Sequence, residues 1–246
     1  MDRLIYTAMT GARQAFLQQA GIAHNLANVS TTGYRAMEHK FRSVPVVGEG
    51  APTRAFVVDA SVVNVLDQGP MMATGRPLDV AVQGAGWIAV ETPDGGEAYT
   101  RAGNLQISAN GLLQTAAGLN VLGDGGPLAI PPDNNIAIAT DGTVSVVPLF
   151  GTPNNVNVIG RIKLVNPPAS QLVRGDDGLF RVSGEAPAAD ENVKLATQTL
   201  EGSNVNPVDA MVNMIAVARQ YEMQIKMLQM ADGNASKASQ LLSMNQ

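Results

Sequence analysis

Helical patterning is confined to the two ends of this chain, and that arrangement limits its possible folds more than any other feature. Residues 1 to about 28 contain no proline and read as helix, and a second helical pattern runs from Asn206 nearly to the end. Nearly all of the 25 glycines and 14 prolines lie between about residues 31 and 200, among short apolar runs. Helix at both termini around a β-rich middle predicts an α+β fold, an unusual order for an ordinary enzyme domain.

The first helix has a countable stripe. Ile5, Met9, Ala12, Phe16, Gln19, Ala23 and Leu26 are spaced alternately four and three apart, a heptad seam with one polar member. Met1, Ala8, Ala15 and Ile22 form a second stripe beside it, so the apolar face is wide enough for more than one neighbour. Gly11 and Gly21 each weaken an isolated helix by roughly 1 kcal/mol relative to alanine, so this helix depends on packing. A helix that only covers its own domain's sheet would carry the same stripe.

The last helix announces its own start. Asn206 suits the N-cap, Pro207 the first helical position and Asp209 the third, as in a short capping box. Met211, Met214, Ala218, Tyr221, Ile225 and Leu228 then alternate three and four apart, and Val212, Ile215, Met223, Met227 and Met230 widen the face. A helix from 207 to about 242 would be about 54 Å long, more than a compact domain of this size needs. Six of the 11 methionines lie between Met211 and Met244, a side chain suited to adaptable packing.

The middle reads as strands and turns. Asp94-Gly95, Asn110-Gly111, Asp124-Gly125, Asp141-Gly142 and Asp177-Gly178 are turn dipeptides. Between them lie strand-like runs such as Leu78–Val82, Trp87–Glu91, Asn120–Leu122, Thr143–Val147 and Ile159–Val165. The expectation is an antiparallel β domain with Greek-key, barrel-like or sandwich-like form.

Several functions are disfavoured. With 16 Lys+Arg against 21 Asp+Glu the net charge is −5, so a nucleic-acid partner is not expected. There is no cysteine, and the only histidines are His24 and His39, so no metal site is expected. No window approaches the roughly 18–20 apolar residues of a membrane span, so membrane insertion is not expected either. The opening Met1-Asp2-Arg3-Leu4-Ile5-Tyr6-Thr7 lacks the form of a cleavable secretory signal. Gly84-Ala85-Gly86-Trp87-Ile88-Ala89 matches a dinucleotide fingerprint, but a strand and a turn follow it rather than the helix that a pyrophosphate needs. Asp176 and Asp177, beside Gly178, read as a solvated turn rather than a catalytic pair. No catalytic residue or cofactor is predicted, and the chain is not expected to be an enzyme.

Three blocks carry a family resemblance. Asn25-Leu26-Ala27-Asn28-Val29-Ser30-Thr31-Thr32-Gly33-Tyr34-Arg35 resembles the N-terminal signature of bacterial flagellar rod and hook proteins. Leu200-Glu201-Gly202-Ser203-Asn204-Val205-Asn206-Pro207-Val208, continued by Met211–Ile215 and Arg219–Glu222, resembles their C-terminal signature. Gly75–Val82 and Tyr99–Gly103 are similar to their central domain, while Met1–Met9 and Arg174–Arg181 are most similar to the proximal rod members, with the distal rod members, of similar architecture, the close competitor. The chain departs from the common pattern at Asp209-Ala210 and at His24.

The resemblance implies a structural protein of the flagellar basal body. It implies an inner domain in which the terminal helices, residues 1–30 and 204–246, pair as an antiparallel coiled coil and stack in a tube. Residues 31–66 would be an irregular or extended connector, in contact with adjacent subunits, leading to an outward-facing β domain over 67–203. It further implies a periplasmic rod, export through the flagellar type III apparatus without a cleaved signal, and partners among the other rod proteins, distal and smaller proximal ones. Contacts of this kind are head-to-tail and build a helical array. The expected assembly interface comprises Ile5, Met9, Ala12, Phe16, Ile22, Ala23, Asn25, Leu26 and Asn28, with Met211, Met214, Ala218, Tyr221, Ile225 and Leu228. A soluble β module dimerised through its own terminal helices is the competing reading.

Overall fold

The structure, a computed structural model, describes residues 2–45, 55–132, 134–148 and 156–243. The chain divides into two compact units. The first comprises Met1–Val29, Ala36–Val65 and Val205–Gln246, the second Ser30–Arg35 and Leu66–Asn204.

The first unit holds both long helices, α1 (Asp2–Ala27) and α2 (Pro207–Ser243). The Asn206 side chain caps α2 as its sequence predicts, its Oδ1 accepting from the Val208 amide at 3.0 Å and the Asp209 amide at 3.4 Å. Past the end of α1, the amides of Asn28 and Val29 donate to the carbonyls of Asn25 and Leu26, closing the last turn more tightly than the α-helix does. The unit also contains two antiparallel strands, β1 (Met37–Pro45) and β2 (Ala55–Asn64), paired from Met37↔Asn64 to Pro45↔Ala55 with a bulge between Lys40 and Phe41. Helix α1 packs against α2 and against this ribbon. The segment 31–66, expected to be an irregular or extended connector, thus contains paired strands; positions 46–54 of it lie outside the described residues.

The second unit is built of short strands. In chain order they are β3 (Met71–Ala73), β4 (Val80–Gln83), β5 (Trp87–Glu91), β6 (Glu97–Thr100), β7 (Leu105–Ile107) and β8 (Leu113–Thr115). Next come β9 (Leu122–Gly123), β10 (Gly126–Pro127), β11 (Asn134–Ile138), β12 (Thr143–Pro148) and β13 (Asn157–Arg161). The last are β14 (Leu164–Val165), β15 (Leu172–Arg174), β16 (Phe180–Val182), β17 (Lys194–Thr197) and β18 (Thr199–Glu201). All pairings are antiparallel, as expected. The largest sheet has the order β14-β5-β6-β16-β15, with β11-β12-β13 as a second and the remaining strands in pairs. Among the described residues no sheet closes on itself, so the barrel-like form is not seen: strands of two to six residues are too short to wrap a continuous cylinder.

The five turn dipeptides each join consecutive strands, at β5–β6, β7–β8, β9–β10, β11–β12 and β15–β16. The glycine fingerprint at Gly84–Gly86 is the turn between β4 and β5, without a helix behind it. Strand β5 is buried on both faces. Ile88 joins a cluster with Val80, Val82, Leu105, Leu113 and Val121, while Trp87 and Ala89 join Tyr99, Val165 and Phe180. Alternation of side chains across one strand divides the core in two.

Candidate functional site

The expected interface residues separate by burial into two groups. Ala12 is buried, in a row with Ala8 and Ala15, and Ile5, Ile22 and Leu26 are half-buried along the same side. Met9 and Phe16 are 56% and 60% exposed, and Ala23 is exposed with them. The small side chains of Ala8, Ala12 and Ala15 line the inward row, where they let a neighbouring element approach closely, while Met9 and Phe16 point away. On α2, Met214, Ala218, Tyr221, Ile225 and Leu228 are half-buried and Met211 is 53% exposed. Val217 is buried, although the sequence stripe leaves it out.

Gln224 belongs to the inward side of α2 as well. Its amide group lies against Gly11, where an added Cβ would stand 3.1 Å from it. The outward side of α2 carries Val208, Met211, Val212, Ile215, Met223 and Met230, all exposed, and that of α1 carries Tyr6, Met9 and Phe16. Both helices therefore show large apolar side chains to solvent, from Tyr6 to Phe16 on α1 and from Val208 to Met230 on α2, more than scattered surface residues would.

Asn25 and Asn28 do local work at the end of α1. The Asn25 side-chain amide donates to the Met37 carbonyl at 2.8 Å and its Oδ1 accepts from the Met37 amide at 3.0 Å. One side chain thus satisfies both backbone groups at the first residue of β1, as a neighbouring strand would. Asn28 donates to the His24 carbonyl at 2.9 Å. Near the same end, Gly21 lies where a Cβ would stand 2.8 Å from the His39 ring, so only glycine lets β1 come this near.

Within the second unit the three resembling sequence blocks meet in one buried charge cluster. Glu201 Oε1 is 2.6 Å from Arg35 Nη2, and Oε2 is 3.1 Å from Arg101 Nη1. Glu201 Oε1 also accepts from the Gly69 amide at 2.9 Å, and its backbone carbonyl accepts from the Gly33 amide at 2.8 Å. Arg101 donates onward to the Gly84 carbonyl at 2.7 Å, with its guanidinium 5.3 Å from the Trp87 ring. Burial pushes the Arg101 guanidinium below its usual range; Glu201 pulls it back up and Arg35 adds to the depression.

Tyr34 is held beside this cluster. The Arg174 guanidinium lies 4.7 Å from its ring and donates to the Arg35 carbonyl at 2.7 Å. Burial raises the Tyr34 phenol, and the Arg174 charge opposes the rise. Gly33, at φ +68°, sets the turn: a Cβ there would stand 2.3 Å from the Arg101 carbonyl carbon. The sequence singled out all three blocks, yet gave no sign that Arg35, Arg101 and Glu201 pair, since the partners are a hundred or more residues apart.

Asp177, read as part of a solvated turn, is in one. Arg181 grips it through both carboxylate oxygens at 3.0 and 2.6 Å, and that contact holds its carboxyl below the usual range.

Comparison with known proteins agrees with this picture. The chain matches three family models: "Flagella basal body rod protein" at residues 5–35, "Flagellar hook protein FlgE/F/G D1 domain" at 81–146, and "Flagellar basal body rod FlgEFG protein C-terminal" at 196–241. It is 47% identical to the flagellar basal-body rod protein FlgF of Escherichia coli strain K12, with all of both chains covered. It is 46% identical over the same full coverage to FlgF of Salmonella typhimurium. It is 33% identical to the rod protein FlgG of Agrobacterium fabrum, over 98% of this chain and 99% of that one. This is a family of structural proteins rather than enzymes, and the chain belongs to it: it is a member of the flagellar basal-body rod protein family.

Proposed function

We propose that this chain is a subunit of the proximal rod, stacking in the wall of a helical tube through the exposed faces of α1 and α2. The observation that carries the reading is the row of large apolar side chains left open to water in a single copy: Met9 and Phe16 on α1, Met211 and Ile215 on α2. Within one copy the two helices would run antiparallel as a coiled coil, which frees their outward faces for neighbours. Those neighbours are other copies and the distal and smaller proximal rod proteins, met head-to-tail so that the array extends and can transmit torque around an export channel. The full-length similarity to FlgF supports the proximal position. The chain would reach the periplasm through the flagellar export apparatus, with no signal peptide removed.

Single introduced thiols test this, because the chain has no cysteine of its own. Met211→Cys and Phe16→Cys should each be trapped by oxidation in cross-links to neighbouring rod subunits in isolated basal bodies. Val217→Cys, buried within the unit, should not be. Met211→Cys remaining uncross-linked in intact basal bodies would overturn the assignment of this face.

A further inference from the structure

The buried charge cluster of the second unit does not balance. Two guanidinium groups, on Arg35 and Arg101, share one carboxylate, and the side chains of Arg35 and Glu201 have no solvent exposure. Among the described residues no other carboxylate reaches either arginine, and the Arg35 Nε and Nη1 atoms find no hydrogen-bond partner there. Buried cations of one sign repel each other and lose hydration, so such a site closes only around its counter-charge.

The counter-charge comes from β18, late in the chain, whereas Arg35 ends the early loop Ser30–Arg35. Several of that loop's bonds to the rest of the β unit lie at this place. The Gly33 amide donates to the Glu201 carbonyl, the Asn204 amide to the Tyr34 carbonyl, and Arg174 to the Arg35 carbonyl. None of the loop's residues belongs to either apolar core cluster. The central core has its own hydrogen bonds, such as Val121 to Leu113 at 2.8 Å and Leu113 to Leu128 at 2.9 Å. Loop and core are thus held by separate means, which allows one to open while the other stays folded.

We infer that Glu201 is the closing member of a charge-gated clasp: the loop Ser30–Arg35 docks on the β unit only when the β18 carboxylate bridges Arg35 and Arg101. A chain whose C-terminal strand is absent or held away keeps the loop undocked, with two arginines repelling each other. The clasp makes closure of the early segment conditional on arrival of the late one.

Hydrogen exchange on the full-length chain tests the clasp. In Glu201→Gln the carboxylate charge is gone at nearly constant shape. The Gly33 and Gly202 amides should lose protection by at least about tenfold, while Leu113 and Val121 keep theirs. Adding Arg35→Met to Glu201→Gln removes one of the two unpaired cations and should restore a large part of the lost protection at Gly202. Should Glu201→Gln fail to fold, the double variant must still fold. Unchanged protection at Gly33 in Glu201→Gln, or a loss that Arg35→Met does not relieve, overturns the charge gate.

Discussion

Arg35 and Glu201 meet through Nη2 and Oε1 at 2.6 Å, with both side chains sealed from solvent. The pair joins the end of the N-terminal sequence block to the start of the C-terminal one, and Arg101 of the central block completes it. Glu201 should therefore matter more than either arginine. Glu201→Ala leaves two buried cations and should cost about 3–5 kcal/mol. Arg35→Met leaves a neutral Arg101–Glu201 pair and should cost clearly less. Urea unfolding of the two variants decides this; equal losses would mean that Arg101 does not share the carboxylate.

Tyr99 makes the β unit sensitive to alkali. It is buried at the pairing of β6 with β5 and β16. Burial first, then the neighbouring Glu97 carboxylate, raise its phenol above the ordinary value. An unfolded tyrosine ionises near pH about 10, while the folded one still holds its proton, so the unfolded state then binds fewer protons. Stability contributed by Tyr99 is fully present below that pH and is lost as pH rises toward the folded value. Urea midpoints measured on either side of pH about 10 should fall in the parent and fall less in Tyr99→Phe. The same decline in both proteins would refute the assignment.

The Asn25 clamp should be sensitive to chemistry more than to size. Asn25→Ala removes two hydrogen bonds to Met37 and should cost about 1–3 kcal/mol, because the Met37 backbone groups lose their partners. Asn25→Asp keeps the acceptor for the Met37 amide and sets a carboxylate against its carbonyl. Exchange at the Met37 amide should accelerate strongly in the alanine variant and less in the aspartate one.

How far these features could be read beforehand depends on how local their cause is. The cap at Asn206 and the five glycine turns were legible because each is set by two or three adjacent residues. The pairing of β1 with β2 is less legible, since glycine and proline between 45 and 52 interrupt the chain there, although Met37, His39 and Phe41 alternate with Glu38, Lys40 and Arg42. The charge cluster was illegible because its members meet only after the whole β unit has folded. On the helices, apolar spacing marked the face but could not tell inward from outward residues: Ala8 and Phe16 both fit a stripe, and only packing shows that alanine lies beneath.

That last distinction separates folding from assembly. Ala12→Leu adds volume to the buried row and should destabilise the isolated chain by about 1–3 kcal/mol. Phe16→Ser and Met211→Ser alter exposed side chains and should leave stability within about 0.5 kcal/mol. Both should nevertheless block rod formation and motility, since every copy in the array repeats the defect. Ile225 and Gln224 fall between these cases. Ile225 is half-buried, so Ile225→Asp should weaken the free subunit as well as the rod, its carboxylate either losing hydration or taking up a proton. Gln224 reaches Gly11, so Gln224→Asp should also lower the melting temperature. Melting curves of the purified chains, set beside swimming assays of strains carrying them, sort the positions. A Phe16→Ser strain that swims normally would show that the exposed face of α1 takes no part in the rod.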